Sequence, residues 1–432
     1  MAHRFGILRR FQFNLPQRIA ALLLLLFLFQ GFWIVSRQTL TDRDYQYARC
    51  GRETWEKPSP LAGYYTSCGN IHDGILAYRL AGLPLTLNLL LERAADSFRK
   101  PEERVVQQTG AEISTWELRH QLTHILLLLR LPFLFAGCLL GGCIWWVTRR
   151  LYGNLGGYTA LALYCFSPAV LKACVTPNTE VLAALGVFGA VYTCIGVAHA
   201  MQAPRRKPGP PATLGVPGKR SLLVGVKAGL RRWGGKWRPR IILLTLIFGM
   251  AASAHIVSLP VAALLGLAAM LWIAEGHRSQ VMPVVLAASL GALLLLLACY
   301  GFSIDACSYV FRSAAGFLWV STDPARRFFS TLSNGGITIA AAAALALYLA
   351  ARRSRYFGNT APLLCFVTLI LLVMTGSPGS PWLWSLPFLL TFIAGVFADA
   401  FEGPRGRLAI YSAGAIVFGQ AVLCILALPS LV

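Results

Sequence analysis

Residues 18–47 read RIAALLLLLFLFQGFWIVSRQTLTDRDYQY. Positions 19–36 hold no charge, and an apolar helix of about 20 residues covers the ~30 Å hydrocarbon core of a bilayer. Arg4, Arg9, Arg10 and Arg18 precede this run, as in a signal peptide. The following Arg37-Gln38-Thr39-Leu40 offers no small-residue cleavage site, so the segment reads as an uncleaved first membrane helix. The chain then turns abruptly polar. Asp42-Arg43-Asp44 begins six residues past the span, a tether of about 20 Å at full extension, so both carboxylates stay near the membrane surface.

Composition extends that reading to the whole chain. Of its 432 residues 56% are hydrophobic and 13% charged, against roughly 25% charged in soluble proteins, and the mean hydropathy is +0.61. These values exclude a soluble enzyme, a disordered scaffold and a disulfide-rich secreted module. After the polar stretch 37–121, further apolar runs lie at about 122–147, 155–176, 181–200, 241–258, 259–274, 281–302, 335–351, 361–376, 383–398 and 408–430. The expectation is an all-α polytopic membrane protein of about 11 transmembrane helices in a single integral membrane domain. The first helix is 19–36, a large periplasmic loop with short juxtamembrane helices covers 37–121, helices 2–4 fill 122–200, a basic cytoplasmic loop spans 202–240, and helices 5–11 occupy 241–430.

The charge surplus, 39 Lys and Arg against 17 Asp and Glu, follows that topology. With a cytoplasmic N-terminus, the inner segments carry 23 basic residues and the short outer loops only Lys172, Arg312, Arg326 and Arg327, as the positive-inside rule requires. The 202–240 loop holds eleven basic residues and no acid. It reads as a retention signal on anionic inner-leaflet lipids. Nucleic-acid binding is disfavoured, because the only interleaved aromatics are Trp233 and Trp237 and the Pro-Gly-Pro-Pro run at 208–211 argues for flexible chain.

Acids are scarce, and eleven of the seventeen fall in 37–121. Carboxylate chemistry is therefore expected at the outer face. Asp42 and Asp44 at i, i+2 can share a divalent cation (Mg or Mn), or one can act as a base while the other tunes it; plain solvation also explains such a pair. Glu180, in the short outer loop after Ser167-Pro168, is a candidate site acid or an ordinary partner for a helix N-terminus. Arg130 lies about eight residues into the second span and either serves a site or snorkels to the surface. His255, near the outer end of the fifth span, reads as a hydrogen-bonded helix residue rather than a ligand. Asp305, Arg312, Asp323, Arg326 and Arg327 lie among aromatics in an outer loop, which fits either an interfacial belt or a cationic pocket for a lipid phosphate. Leu80–Lys100 looks like an amphipathic helix lying on the bilayer. Cys50 and Cys68 stand alone in the first outer loop, where an oxidising compartment allows them to pair.

Together these features resemble the membrane glycosyltransferases of the GT-C superfamily, close to the aminoarabinose and protein O-mannosyl transferases. The stretches that carry the resemblance are Thr41-Asp42-Arg43-Asp44-Tyr45-Gln46-Tyr47, Trp55-Glu56-Lys57-Pro58, Arg130-Leu131-Pro132, Arg149 to Gly153, Ala162-Leu163 with Ser167-Pro168, and Glu180. The match covers roughly the first 200 residues. It departs from the family pattern in having Arg43 inside the acidic pair and glutamate at 180, where aspartate is usual. The resemblance implies a sugar donor on a polyprenyl phosphate, a lipid or glycan acceptor and transfer at the outer face. It implies Asp42, Asp44 and Glu180 as catalytic or metal-holding acids. Tyr47, Arg130, Lys172, Arg326 and Arg327 would contact substrate, the cations steadying the departing phosphate. The absence of a targeting peptide and the uncleaved first helix suit a bacterial inner (plasma) membrane. A transporter or flippase is the main alternative, although such proteins carry mid-membrane charge and repeated halves. A non-catalytic assembly subunit is the other.

Overall fold

The computed structural model describes residues 14–56, 74–98, 115–202, 238–302, 318–320, 323–351, 356–374 and 382–432. Helix α1 (Leu15–Val35) is the first expected span. The Asn14 N–H donates to Gln17 Oε1 at 3.0 Å at its start, and the Ser36 hydroxyl donates to Trp33 O at 2.9 Å at its end. Both satisfy groups that a helix terminus leaves without intrahelical partners.

Two helices from the polar stretch follow, α2 (Asp42–Glu56) and α3 (Ile75–Phe98). They meet backbone to backbone. A Cβ on Gly82 would sit 2.1 Å from the Gly51 carbonyl carbon, and one on Gly51 2.5 Å from Tyr78 O, so only glycine admits the crossing. Trp55 Nε1 donates to Arg79 O at 2.9 Å, and Thr86 Oγ1 to Glu56 Oε1 at 3.2 Å. Helix α3 starts five residues before the expected surface helix. Its stretch Ile75–Ala95 is long and apolar enough to cross a membrane, with a mean hydropathy of 1.3, the lowest of the eight such stretches among the described residues. One half packs on α2, while Leu87, Leu90 and Leu91 on the other are exposed.

Helix α4 (Thr115–Cys165) runs for 51 residues, about 75 Å if straight and far more than one bilayer crossing needs. Gly153, at φ +83° and ψ −176°, divides it into two arms. Tyr164 reaches back to donate its hydroxyl to Gly137 O at 2.6 Å, so the arms run antiparallel, as the spans read at 122–147 and 155–176 require. The second arm stops at Cys165 rather than near residue 176. Ser167 caps a new helix, α5 (Pro168–Val175), whose first residue has no N–H to continue the old one. Helix α6 (Glu180–Gln202) is capped by Asn178 Oδ1, which accepts from Glu180 N at 3.0 Å.

The remainder comprises α7 (Arg238–Ala254), α8 (Ser258–Ile273), α9 (Arg278–Cys299), α10 (Asp323–Ser330), α11 (Gly335–Ala351), α12 (Tyr356–Leu371), α13 (Trp382–Phe401) and α14 (Gly406–Ala427). Strands β1 (Leu318–Val320) and β2 (Leu372–Met374) form a three-residue antiparallel ladder, a small departure from all-α. Short 3-10 turns occupy Leu332–Asn334 and Leu428–Leu431. Among the described residues eight stretches are long and apolar enough to cross a bilayer, which makes this an integral membrane protein; Arg240–Ala254, Ser258–Ile273 and Asn359–Leu371 are shorter. The apolar window of α13 is 89% buried and that of α6 67%, against 11% for α14, so α6 and α13 form the centre and α14 the rim.

Cross-helix hydrogen bonds sort the helix ends into two sets. At one end Gln38 Nε2 donates to Leu431 O at 2.5 Å, Gly74 N to Ala254 O at 2.8 Å, Arg79 Nε to Cys299 O at 3.0 Å, and Gln420 Nε2 to Phe166 O at 2.8 Å. At the other, Gln202 Nε2 meets Ile273 O, an Arg240 guanidinium nitrogen meets Gly196 O, and Asn359 Nδ2 donates to Asp399 Oδ2 at 2.9 Å. From the first arm of α4 onward the long helices therefore alternate in direction, and α2 lies at the first end. Of the basic 202–240 loop, 203–237 fall outside the described residues, as do Cys68, Asp305 and Arg312.

Candidate functional site

Thr41 and Asp44 stand three apart at the start of α2, the spacing of a capping box. Asp44 N donates to Thr41 Oγ1 at 3.3 Å, and Asp44 Oδ2 accepts from Thr41 N at 2.9 Å and Thr41 Oγ1 at 2.6 Å. Two acids in the first turn also suit the positive end of the helix dipole. The cap fixes the Asp44 side chain, and the first arm of α4 brings Arg130 onto it. Arg130 Nε donates to Oδ1 at 2.9 Å and Nη2 to Oδ2 at 2.6 Å, while Nη1 meets Gln38 Oε1. Asp44 is 0% and Arg130 1% exposed, so the pair is a buried two-pronged ion pair. Arg130 does not snorkel.

Burial pushes the Asp44 carboxyl up, but the hydrogen bonds from Arg130 and Thr41 and the guanidinium charge outweigh it and hold the group below its ordinary value. Both carboxylate oxygens are occupied. Asp44 is thus a poor proton acceptor and offers no free oxygen to a cation.

Asp42 is the opposite case. It is exposed and makes no ion pair or side-chain hydrogen bond among the described residues. Residues two apart on a helix point to different sides, so Asp42 and Asp44 do not face a common point. This donor set does not fit a divalent cation, and among the described residues no three His, Cys, Asp or Glu side chains gather to hold one.

Tyr47, one turn beyond Asp44, is 1% exposed. Its ring stacks on Tyr78 at 4.3 Å and meets Phe133 edge-on at 6.1 Å, so it packs α2 onto α3 and α4 instead of facing open space. Glu180 is buried at the start of α6. His255 is buried with its ring edge-on to Trp384 at 5.4 Å, and its backbone N–H donates to Ala251 O at 2.9 Å. Lys172 on α5 and Arg326 on α10 are exposed, and the Arg327 side chain is outside the described residues. The 3-10 turn Leu332–Asn334 touches both α5 and α10, and Leu428–Leu431 touches α5 while receiving the Gln38 hydrogen bond. Asp42, Lys172 and Arg326 accordingly sit on contiguous elements at one end of the bundle.

Cys50, on α2, is disulfide-bonded. The other described cysteines are free, so its partner lies outside the described residues, where Cys68 also falls. Gln38 and Thr41 escaped the sequence reading as site residues. The signal for Thr41 was its spacing to Asp44; Gln38 had none.

No family model matches the chain, and no curated protein matches it. Among solved structures, the crystal structure of the Archaeoglobus fulgidus oligosaccharyltransferase, tethered with an acceptor peptide containing the NVT sequon via a disulfide bond, is similar at a TM-score of 0.49 and 10% identity. The similarity covers 96% of this chain and 55% of that one, so the chain spans about half that protein's length. A likeness at this level assigns no activity.

Proposed function

We propose that this protein is a membrane glycosyltransferase that moves a sugar from a polyprenyl-phosphate donor to a lipid or glycan hydroxyl at the end of the bundle carrying α2. The observation that carries the reading is the division of labour in Asp42-Arg43-Asp44. One carboxylate is locked to Arg130 and fixes the start of α2, and the other is exposed at the end of the bundle where Lys172 and Arg326 are also exposed. The motif resemblance in the first 200 residues supports the same reaction class.

In that reaction the acceptor oxygen attacks the anomeric carbon and passes its proton to Asp42. The bond from sugar carbon to phosphate oxygen breaks, and its electron pair leaves with the lipid phosphate. Charge grows on that phosphate in the transition state, so cations placed beforehand lower the barrier. Lys172 and Arg326 are exposed where a lipid headgroup can reach them, and Arg327 follows on the same helix. Asp44, Arg130 and Gln38 act on Asp42 only by fixing the start of α2, and Tyr47 by packing it. Nothing in this scheme requires a divalent cation at the Asp42–Asp44 pair.

Purified full-length protein in lipid, given a panel of polyprenyl-phosphate sugars with candidate acceptor lipids and glycans, should release free polyprenyl phosphate from one donor. Movement of an intact donor across a sealed vesicle without release would overturn the proposal in favour of transport. Neither release nor movement from folded protein would overturn it in favour of an assembly role.

A further inference from the structure

A cavity of about 930 Å³ lies at the end of the bundle opposite Asp44, lined mainly by α11, α13 and α14, within the ~300–1,000 Å³ typical of ligand sites. Phe397, Ala413 and Ile416 belong to its apolar wall. Leu347, Leu349 and Leu408 line it too, yet are exposed on the outside of α11 and α14, so the cavity opens sideways between these helices as well as at the end of the bundle. Arg405 and Ile416, both in its lining, are eleven positions apart on α14, roughly 16 Å along a helix. That is close to half the ~30 Å hydrocarbon thickness, an apolar shaft about one leaflet deep.

At the turn between α13 and α14 the cavity adjoins a smaller one of about 470 Å³; Phe401, Gly403, Pro404, Arg405 and Leu408 line both, and Arg407 lines the second. Arg405 and Arg407 are exposed, and among the described residues neither guanidinium makes an ion pair or hydrogen bond. Arg405 precedes the first helical residue of α14, so the two are not held to different sides of a helix. Asp399 is the one acid in either lining, and its Oδ2 already accepts from Nδ2 of the buried Asn359 at 2.9 Å. No acidic residue occupies the first turn of α14. The mouth therefore carries two free guanidinium groups at the head of the shaft.

We propose that this cavity binds an anionic phospholipid of the phosphatidylglycerol type. The headgroup phosphate accepts from Arg405 and Arg407, and one acyl chain enters between α11 and α14 and lies along Leu408 and Ile416. A zwitterionic lipid would bring a further cation to a mouth that already holds two. A soluble phosphate ester would leave the apolar wall uncovered. The site lies at the other end of the bundle from the proposed transfer and stands or falls apart from it.

The test is native mass spectrometry of the full-length protein in detergent with equal amounts of phosphatidylglycerol and phosphatidylcholine of matched chains. In the first lipid retained, the glycerol headgroup should exceed the choline one by about tenfold, the order expected when two cations near a membrane surface favour an anionic headgroup. Arg405→Gln/Arg407→Gln should bring the two lipids to near parity. Ser412→Trp, at an exposed position that lines the cavity, should obstruct the shaft and abolish the preference although it removes no charge. Arg149→Gln/Arg150→Gln, a pair at another turn that lines neither cavity, should leave it intact. Equal retention of the two lipids by the wild type overturns the proposal. An unchanged preference in folded Ser412→Trp does so too, as does an equal loss in the Arg149/Arg150 variant, which would reduce the effect to general surface charge.

Discussion

Removing the Asp44 carboxylate leaves the Arg130 guanidinium buried at 1% exposure without its counter-charge, a change that typically costs about 3–5 kcal/mol. Asp44→Asn and Arg130→Gln should each lower thermal stability in detergent by that order. The double variant Asp44→Leu/Arg130→Leu should recover much of the loss, because an apolar pair of similar bulk needs no desolvation; a double variant as unstable as the sum of the singles would deny the coupling. The pair also sets an acid limit. The Asp44 carboxyl titrates below its ordinary value of 3.8 in the folded protein, so its contribution is complete above that value and is lost as pH falls through the lower folded one. Protection of the α2 amides, taken relative to the intrinsic exchange rate at each pH, should hold at neutral and mildly acidic pH and fall only in stronger acid. Loss of protection already near pH 6 would contradict this sign. In the sequence the two acids were legible as a pair, and Arg130 as an unusual charge in a span. Their meeting was not, because Asp44 and Arg130 are 86 positions apart with no local pattern linking them. The split between Asp42 and Asp44 follows once α2 is known to be helical; short helices were expected in 37–121, but only the Thr41–Asp44 spacing marks where this one starts.

At the scale of elements, the crossing of α2 and α3 is the joint that places Asp42. Gly82→Ala would push a methyl to 2.1 Å from the Gly51 carbonyl carbon, with backbone on both sides of the contact. A cost of about 1–3 kcal/mol is expected from such overpacking, read as a lowered melting temperature. Gly142 is the control, because a Cβ there meets nothing within 4 Å; Gly142→Ala should be neutral or slightly stabilising from helix propensity. Equal effects at the two positions would remove the close crossing from the account. Most other elements were plain from apolar runs and punctuation. The break at Ser167-Pro168 was readable from the proline, yet the apolar run continued to residue 176 and hid it. Helix α3 begins before the expected 80–100, and Arg79, in that added turn, lies 5.1 Å from the Trp55 ring and donates to Cys299 O at 3.0 Å, contacts that a sequence pattern does not reveal.

For the whole molecule, alternation of helix direction puts α2, α5 and α10 at one end and the Arg149, Arg278 and Arg405 turns at the other. From the positive-inside rule we propose that the first end faces outward. In intact cells or sealed right-side-out vesicles, a maleimide that does not cross membranes should label Asp42→Cys. His277→Cys, in the turn before α9, should react only after permeabilisation, and the reverse pattern would place the acidic end inside. The proposed transfer depends on Asp42 taking the acceptor proton. Its most direct measurement is the rate of polyprenyl-phosphate release by wild type and Asp42→Asn at saturating donor, with melting temperatures recorded on the same preparations. The account predicts a fall of about 10²–10⁴-fold, the usual contribution of a positioned base, with the melting temperature unchanged. Release at the wild-type rate from folded Asp42→Asn would contradict it.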